Sequence, residues 1–236
     1  MLAGSAGTGK TTLAIEYIVN GILMNDDPGL YISFEQLPQQ IYRDALNFGW
    51  DLKKLEEKNK LRLICTSPEL LLAANTDDNL LDSTIDEICP KRIAIDSIRC
   101  MENVLEGSAM REELYRLLMY LRAKRVSSLL TWESPNSLGG FSDFVDEQLG
   151  YLTDCIILMR HIEISSAIRK VILVLKMRGS DHDKRLIEYE ISSKGINIIG
   201  PIMGYENILS GSPKRVLFED AAKSFAEAFP LHEKSK

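Results

Sequence analysis

The chain has 236 residues, 45% of them hydrophobic and 26% charged, with a formal net charge of -6 and a pI near 5.3. This length and composition are typical of one soluble α/β domain, and the acidic balance argues against a general nucleic-acid surface. No apolar run is long enough to span a bilayer and no signal-peptide pattern is present, so we expect a cytoplasmic protein. The four cysteines lack the spacing of a metal site and are expected to be buried, reduced thiols: Cys65, Cys89, Cys100 and Cys155.

A glycine-rich loop stands near the start of the chain. Residues 4–12 read GSAGTGKTT and fit the pattern G-x-x-x-x-G-K-[ST], in which backbone N–H groups surround the phosphates of a nucleotide. Lys10 is expected to reach the β- and γ-phosphates, and the Thr11 hydroxyl to hold Mg²⁺. A helix is predicted directly after the loop, so that its N-terminal dipole also faces the anion. The residues predicted to bind the nucleotide are Gly4, Ser5, Ala6, Gly7, Thr8, Gly9, Lys10, Thr11 and Thr12.

The segment before this loop is short. A phosphate loop normally follows a buried strand of about five residues, whereas only Met1, Leu2 and Ala3 precede Gly4 here. We therefore expect the first strand to be largely missing, through a late start of the chain. The same shortage predicts a phosphate loop that is poorly anchored on its upstream side.

The order of the predicted elements indicates the fold class. Four apolar runs with helical patterns between them predict buried strands: 30–34, 61–64, 92–97 and 126–132. This alternation predicts a mostly parallel sheet with right-handed crossovers and helices on both faces. After a Gly- and Pro-containing loop at 134–144, three further runs without intervening helices predict antiparallel hairpins that extend the sheet: 155–162, 170–176 and 186–191.

The last residues form a separate segment in this interpretation. Residues 1–215 are predicted to be one α/β domain, and 216–236 a tail. Within the tail, residues 219–229 place Ala222, Phe225 and Phe229 on one side of a helix. This amphipathic helix is expected either to pack on its own domain or to dock on a neighbouring subunit.

Two acidic residues follow predicted strands. Asp96 ends an apolar run and stands at the Walker B position, where a carboxylate holds Mg²⁺ through water. Glu35 ends the strand after the phosphate-loop helix and is the candidate base that activates the attacking water. Because ligands bind at the carboxyl ends of parallel strands, both acids are expected beside the phosphate loop. The combination predicts Mg²⁺-dependent ATP hydrolysis rather than nucleotide binding alone.

Five segments occur in the order and spacing of a known family. They are the phosphate loop, Ser33-Phe34-Glu35-Gln36, Ile95-Asp96-Ser97, the run TDCIIL at 153–158 and the run KMRGSDH at 176–182. From residue 4 to about residue 215 the chain resembles the KaiC-like ATPases of the RecA-type P-loop group. This resemblance implies a RecA-like fold and a single ATPase domain.

The resemblance also implies how the active site is assembled. It implies a ring, usually a hexamer, that binds ATP and Mg²⁺ between subunits and works with a regulatory protein partner in signalling. One subunit would supply the phosphate loop, Glu35 and Asp96. Its neighbour would supply Lys176 and Arg178 to the γ-phosphate, with His182 nearby, and such added cations neutralise charge that develops during phosphoryl transfer. Arg169 and Lys170 are weaker candidates for the same interface.

Two positions depart from the family pattern. Members usually carry two adjacent glutamates where this chain has Glu35-Gln36, so we expect slow hydrolysis. The autokinase domain of the family has adjacent Ser and Thr acceptors where this chain has Gly150 and Tyr151. Autophosphorylation of the family type is therefore not expected.

Alternative functions stay open at this point. The first is a non-hydrolysing module in which ATP only joins subunits, and the short first strand and Gln36 favour it. The second is a DNA-directed RecA-like motor. The acidic balance and the absence of Lys and Arg from residues 134–144 argue against it, because phosphate contacts supply most DNA affinity. A small-molecule kinase has the least support, since the chain lacks an Arg-rich lid.

Overall fold

The computed structural model describes residues 1–72, 80–105, 107–134, 150–208 and 214–215. The strands are β1 Leu2–Gly4, β2 Gly29–Ser33, β3 Leu61–Cys65, β4 Arg92–Asp96, β5 Ser127–Glu133, β6 Cys155–Ile164, β7 Ala167–Met177, β8 Ile187–Ser192, β9 Gly195–Pro201, β10 Tyr205–Glu206 and β11 Lys214–Arg215. The helices are α1 Lys10–Asn25, α2 Pro38–Leu46, α3 Leu52–Glu57, α4 Pro68–Leu72, α5 Leu80–Ile88 and α6 Gly107–Ala123, with a 3-10 helix at Ile98–Asn103.

Nine of these strands form one sheet in the order β3-β2-β4-β5-β1-β6-β7-β8-β9. The pairs from β3 to β6 are parallel, and the pairs from β6 to β9 are antiparallel. The predicted fold class is therefore confirmed: a RecA-like parallel sheet extended by antiparallel hairpins. The structure adds β9, a strand that the sequence patterns did not predict, as the last strand of the extension.

Strand β1 has three residues, yet it lies inside the sheet. It pairs with β5 on one side and with β6 on the other, and Leu2 and Ala3 are fully buried. The Ser134 N–H also donates to the Gly4 carbonyl at 2.9 Å. The expected poor anchoring of the phosphate loop is wrong, because hydrogen bonds to two longer neighbours fix this short strand from both sides.

Two apolar layers cover the two faces of the parallel half. Because side chains alternate along a strand, Leu30 and Ile32 of β2 pack in one layer and Tyr31 packs in the other. The first layer contains Leu114 of α6, and the second contains Ile18 of α1. Helices on both faces hold the strand ends in place, and these ends carry the candidate site.

The predictions for the cysteines and for the C-terminal tail have different outcomes. The cysteines were expected to be buried, but Cys65 and Cys89 are exposed and Cys100 and Cys155 are partly exposed. The amphipathic tail helix, and all of the loop 134–144 except Ser134, lie outside the described residues. Within the described part of the chain, no helix combines the length and apolar character needed to cross a membrane.

Candidate active site

The glycine-rich loop connects β1 to α1 and has the backbone of a phosphate-binding loop. Gly7 and Gly9 have φ angles of 76° and 97°, a conformation that side chains disfavour. The Ser5 carbonyl accepts a hydrogen bond from the Thr8 hydroxyl at 2.8 Å, which closes the turn. These contacts leave the start of α1, with its free N–H groups, at the carboxyl edge of the parallel strands.

The antiparallel half of the sheet supports this loop from outside. Strand β8 contributes the Tyr189 hydroxyl, which donates to the Thr8 carbonyl at 2.5 Å. From the same strand, the Ile191 Cδ1 atom would lie 2.7 Å from a Cβ atom added at Gly9. On β6, His161 lies beside Gly7, and burial is the main cause that lowers the pKa of its imidazole. The hairpins that follow the parallel strands therefore help to shape the loop.

Lys10 is almost buried, with a relative exposure of 6%. Its ammonium group donates to the Ser5 carbonyl at 2.9 Å and forms an ion pair with Glu133 Oε2 at 3.5 Å. Burial lowers the pKa of Lys10, and the nearby Glu133 carboxylate opposes that shift. The amino group thus lies where phosphates would bind, with a carboxylate beside it.

Asp96 lies at the end of β4 and accepts hydrogen bonds from three hydroxyl groups. Thr11 donates to Oδ2 at 2.7 Å, Tyr31 donates to the same oxygen at 2.8 Å, and Thr131 donates to Oδ1. Burial, followed by the Asp96 charge, raises the pKa of Tyr31 well above its ordinary value, so its hydroxyl stays a donor. Thr11 and Asp96, the two residues predicted to hold Mg²⁺, are therefore in direct contact.

Glu35 follows β2 and is exposed at the same edge of the sheet. Its Oε1 atom accepts a hydrogen bond from the Cys100 thiol at 3.0 Å. Burial, and then Glu35 itself, raises the pKa of Cys100 to about 12, so the thiol is neutral and can donate. Gln36 directs its backbone N–H to the Ser33 hydroxyl at 2.9 Å. Glu35 thus has a partner that motif reasoning did not name.

A pocket of about 310 Å³ joins these groups. It brings the loop, the helix start and the ends of β2, β4 and β5 together, and its lining residues are Ala6, Gly7, Gly9, Lys10, Thr11, Thr12, Glu35, Asp96, Ser97, Glu133 and Ile191. Most of the residues predicted from the phosphate loop and the strand-end acids therefore surround one cavity. Its chemistry combines one ammonium group, backbone donors and three carboxylates.

Lys176, Arg178 and His182 are not among the residues that line this pocket. On β6, Ile157 pairs with Leu2 of β1, and the preceding residue, Ile156, pairs with Lys176 of β7. The phosphate loop leaves the sheet at the other end of β1, after Gly4. Lys176 is therefore at the amino end of the parallel strands, opposite the loop.

Within this chain, Lys176 and Arg178 form hydrogen bonds with backbone carbonyl groups. The Lys176 ammonium donates to the Gly150 and Thr153 carbonyls at 2.7 and 2.8 Å, and Arg178 donates to the Tyr151 carbonyl at 2.7 Å. The His182 Nδ1 atom is buried without a hydrogen-bond partner among the described residues.

The weaker candidates, Arg169 and Lys170, divide between two environments. Arg169 forms an ion pair with Glu188 at 3.1 Å. Lys170 pairs with His161 across the β6–β7 hairpin, so it lies towards the phosphate-loop end of that hairpin. Since His161 lies beside Gly7, Lys170 is near the phosphate loop.

Glu133 is a charged pocket residue that the sequence analysis did not predict as part of the site. It ends β5, and its carbonyl accepts a hydrogen bond from Arg99 at 2.7 Å. The available signal was an acid directly after a buried strand, the same signal that identified Asp96 and Glu35. What the sequence does not show is that β5 is the neighbour of β1, which brings Glu133 to Lys10.

A phosphate loop between a central parallel strand and a helix, with an acid from a nearby strand on the loop threonine, defines a P-loop nucleotide-binding protein of the RecA-like class. The sequence profile described as "ATPase: KaiC" matches residues 1–202. The chain therefore belongs to the KaiC ATPase family.

Curated relatives agree with this assignment. The chain is 35% identical over 215 residues to the circadian clock protein KaiC3 of Synechocystis sp., a match that covers 90% of this chain and 42% of the relative. It is 32% identical over 225 residues to the circadian clock oscillator protein KaiC of Synechococcus elongatus, covering 94% of this chain and 42% of the relative. The chain thus spans less than half the length of these relatives.

Proposed function

We propose that this chain binds ATP with Mg²⁺ and hydrolyses it slowly, as a subunit of a hexameric ring in which each active site is completed by the neighbouring subunit. The observation that carries the proposal is the contact between the Thr11 hydroxyl and the Asp96 carboxylate at 2.7 Å, in a pocket that also contains Lys10. A hydroxyl and a carboxylate in contact beside a phosphate loop are the oxygen groups that P-loop proteins use for Mg²⁺.

The residues present fit a nucleotide with its metal ion. Gly7 and Gly9 let the loop backbone turn towards the phosphates, and the start of α1 supplies N–H donors. Thr11 and Asp96 are the residues that would hold Mg²⁺. When bound, Mg²⁺ neutralises negative charge on the β- and γ-phosphates.

Hydrolysis requires a group that takes a proton from water. Glu35 lines the same pocket as Lys10 and is accessible to solvent, so its carboxylate accepts a proton from the water that attacks the γ-phosphorus. The bond between the γ-phosphorus and the bridging oxygen breaks, and ADP and phosphate leave. Lys10 and the loop N–H groups stabilise the charge that moves onto these oxygens. Gln36, an uncharged neighbour of the base, is consistent with a slow rate.

The position of Lys176 and Arg178 supports a shared site. Both cations lie at the amino end of the parallel strands, so they cannot reach the phosphate loop of their own subunit at the opposite edge. In a ring, head-to-tail contacts bring one edge of a subunit against a different surface of the next. Lys176 and Arg178 then meet the neighbour's γ-phosphate, with His182 close by.

The names of the relatives, circadian clock proteins, support a regulatory role in this proposal. ATP turnover in the ring then changes how it binds a protein partner, in the cytoplasm. The alternative, a module in which ATP only joins subunits, differs from this role in one measurable property, because it does not release phosphate.

The test uses two inactive variants that complement each other. Glu35→Gln removes the base and Lys176→Ala removes a cation from the shared site. In a shared site, an intact pair forms wherever a Lys176→Ala subunit uses its own Glu35 and the Lys176 of a Glu35→Gln neighbour. For random mixing in equal amounts, about a quarter of the sites are intact.

Phosphate release is measured for wild type, each variant and their mixture after reassembly. We expect about a quarter of the wild-type rate in the mixture and little in either variant alone. Lys58→Ala, a change at an exposed lysine after α3, serves as the matched control and should retain the wild-type rate. A mixture no more active than its components would refute the shared site. Lack of phosphate release from wild type would favour the non-hydrolysing module.

A further inference from the structure

The Lys10–Glu133 ion pair has a consequence for nucleotide affinity. The Lys10 ammonium is almost buried and contacts the Ser5 carbonyl and the Glu133 carboxylate. A buried ammonium group is costly unless it is paired, so Glu133 stabilises Lys10 in this arrangement. The same ammonium group is the one that a phosphate loop directs at the β- and γ-phosphates.

The backbone of Glu133 is held by hydrogen bonds, whereas its side chain is partly exposed. Arg99 donates to its carbonyl at 2.7 Å, and the following residue, Ser134, donates to the Gly4 carbonyl at 2.9 Å. The side chain is 44% exposed, compared with 7% for Lys10. Glu133 can therefore turn away from Lys10 without any change in the sheet.

The other two carboxylates of the pocket have different partners. Asp96 accepts hydrogen bonds from three hydroxyl groups, including Thr11, and Glu35 accepts one from Cys100. Glu133, in contrast, contacts the ammonium group itself. It also brings negative charge to the place where phosphate oxygens would bind, so it competes with them for Lys10 and repels them.

We infer that Glu133 is an affinity-determining residue of the nucleotide site, whose ion pair with Lys10 must open before the β-phosphate of a nucleoside di- or triphosphate can bind. The inference rests on the proposed function, because it takes a nucleotide as the ligand. It also distinguishes nucleotides with a β-phosphate from those without one. AMP, which lacks the β-phosphate, does not need this ion pair to open, whereas ADP and ATP do.

The test measures binding rather than hydrolysis. Isothermal titration calorimetry with ADP and Mg²⁺ compares wild type, Glu133→Gln and Glu163→Gln. Glu163→Gln is the matched control, because it removes the same charge at an exposed residue of β6 that does not line the pocket. We expect Glu133→Gln to bind ADP about fivefold more tightly, which corresponds to the free energy of a partly exposed ion pair, and Glu163→Gln to change the Kd less than about twofold.

A second measurement reports the ion pair without nucleotide. Loss of the Glu133 charge leaves the Lys10 ammonium less compensated, so the Tm of Glu133→Gln without nucleotide should fall by about 2 °C. Added ADP should then raise its Tm more than that of wild type. A structural defect alone would also lower the Tm, but it would weaken ADP binding, whereas loss of the ion pair is expected to strengthen it.

Three results would overturn the inference: unchanged or weaker ADP binding by Glu133→Gln, equally tighter ADP binding by Glu163→Gln, or equally tighter binding of AMP by Glu133→Gln. These outcomes are distinct from failure of the proposed function. If wild type binds ADP but releases no phosphate from ATP, hydrolysis is refuted and the ion-pair inference stands or falls on the Kd values alone. If no form binds ADP, both are refuted.

Discussion

The hydrogen bond between Tyr31 and Asp96 allows a prediction with a defined magnitude. Tyr31 is 3% exposed, and its hydroxyl donates to Asp96 Oδ2 at 2.8 Å. Tyr31→Phe removes the oxygen and keeps the ring in the core. A hydrogen bond to a charged group contributes about 1.5–3 kcal/mol, and the carboxylate keeps two other donors, so we expect a loss of about 1.5–2 kcal/mol.

The expected loss can be measured by thermal unfolding. At about 2–4 °C per kcal/mol for a domain of this size, the Tm should fall by about 3–8 °C. Tyr42→Phe is the matched control, because the Tyr42 hydroxyl also donates to a carboxylate, that of Glu56, but at a partly exposed position. Water can replace that bond, so the loss there should be less than about 1 kcal/mol. Equal losses in the two variants, or no loss in Tyr31→Phe, would refute the reasoning.

Two further predictions concern groups near the pocket. Cys100→Ala removes the donor to the proposed base Glu35, so phosphate release should fall about tenfold while ADP affinity stays unchanged. Cys100→Ser keeps a donor and should retain most of the rate. Equal rates of phosphate release in the two variants would contradict this role. Burial and the neighbouring Lys170 and Lys10 lower the pKa of His161, so the unfolded chain binds this proton more readily. The stability that His161 contributes is present above its unfolded pKa of about 6.5 and is lost as the pH falls below it. Between about pH 7.5 and about pH 5.5, the Tm of His161→Gln should fall less than that of wild type, and parallel curves would exclude the effect.

Much of the site could be predicted from local patterns. The phosphate loop is contiguous, and its glycines, lysine and threonine are needed at fixed offsets, so residues 4–12 identify the class of ligand without a structure. Asp96 and Glu35 each follow an apolar run, and parallel strands bring their carboxyl ends to one edge. The change from alternating elements to hairpins likewise predicted the mixed sheet.

The remaining features depend on which strands are neighbours. The position of β1 between β5 and β6 explains why three residues suffice for this strand, since both neighbours form hydrogen bonds with it. The same strand order brings Glu133 to Lys10, although the two residues are 123 positions apart in the sequence. Contacts between residues so distant in sequence leave no local pattern by which they could be recognised.

The sequence by itself therefore determined the fold class, the phosphate loop and the acids at the strand ends, because backbone geometry and hydrophobic periodicity act over a few residues. Only the tertiary structure decided the partners of these groups: Glu133 for Lys10, Tyr31 for Asp96 and Cys100 for Glu35. It also decided that Lys176 lies at the opposite edge of the sheet from the phosphate loop. Burial and strand order create these relations, and neither is a property of any short segment.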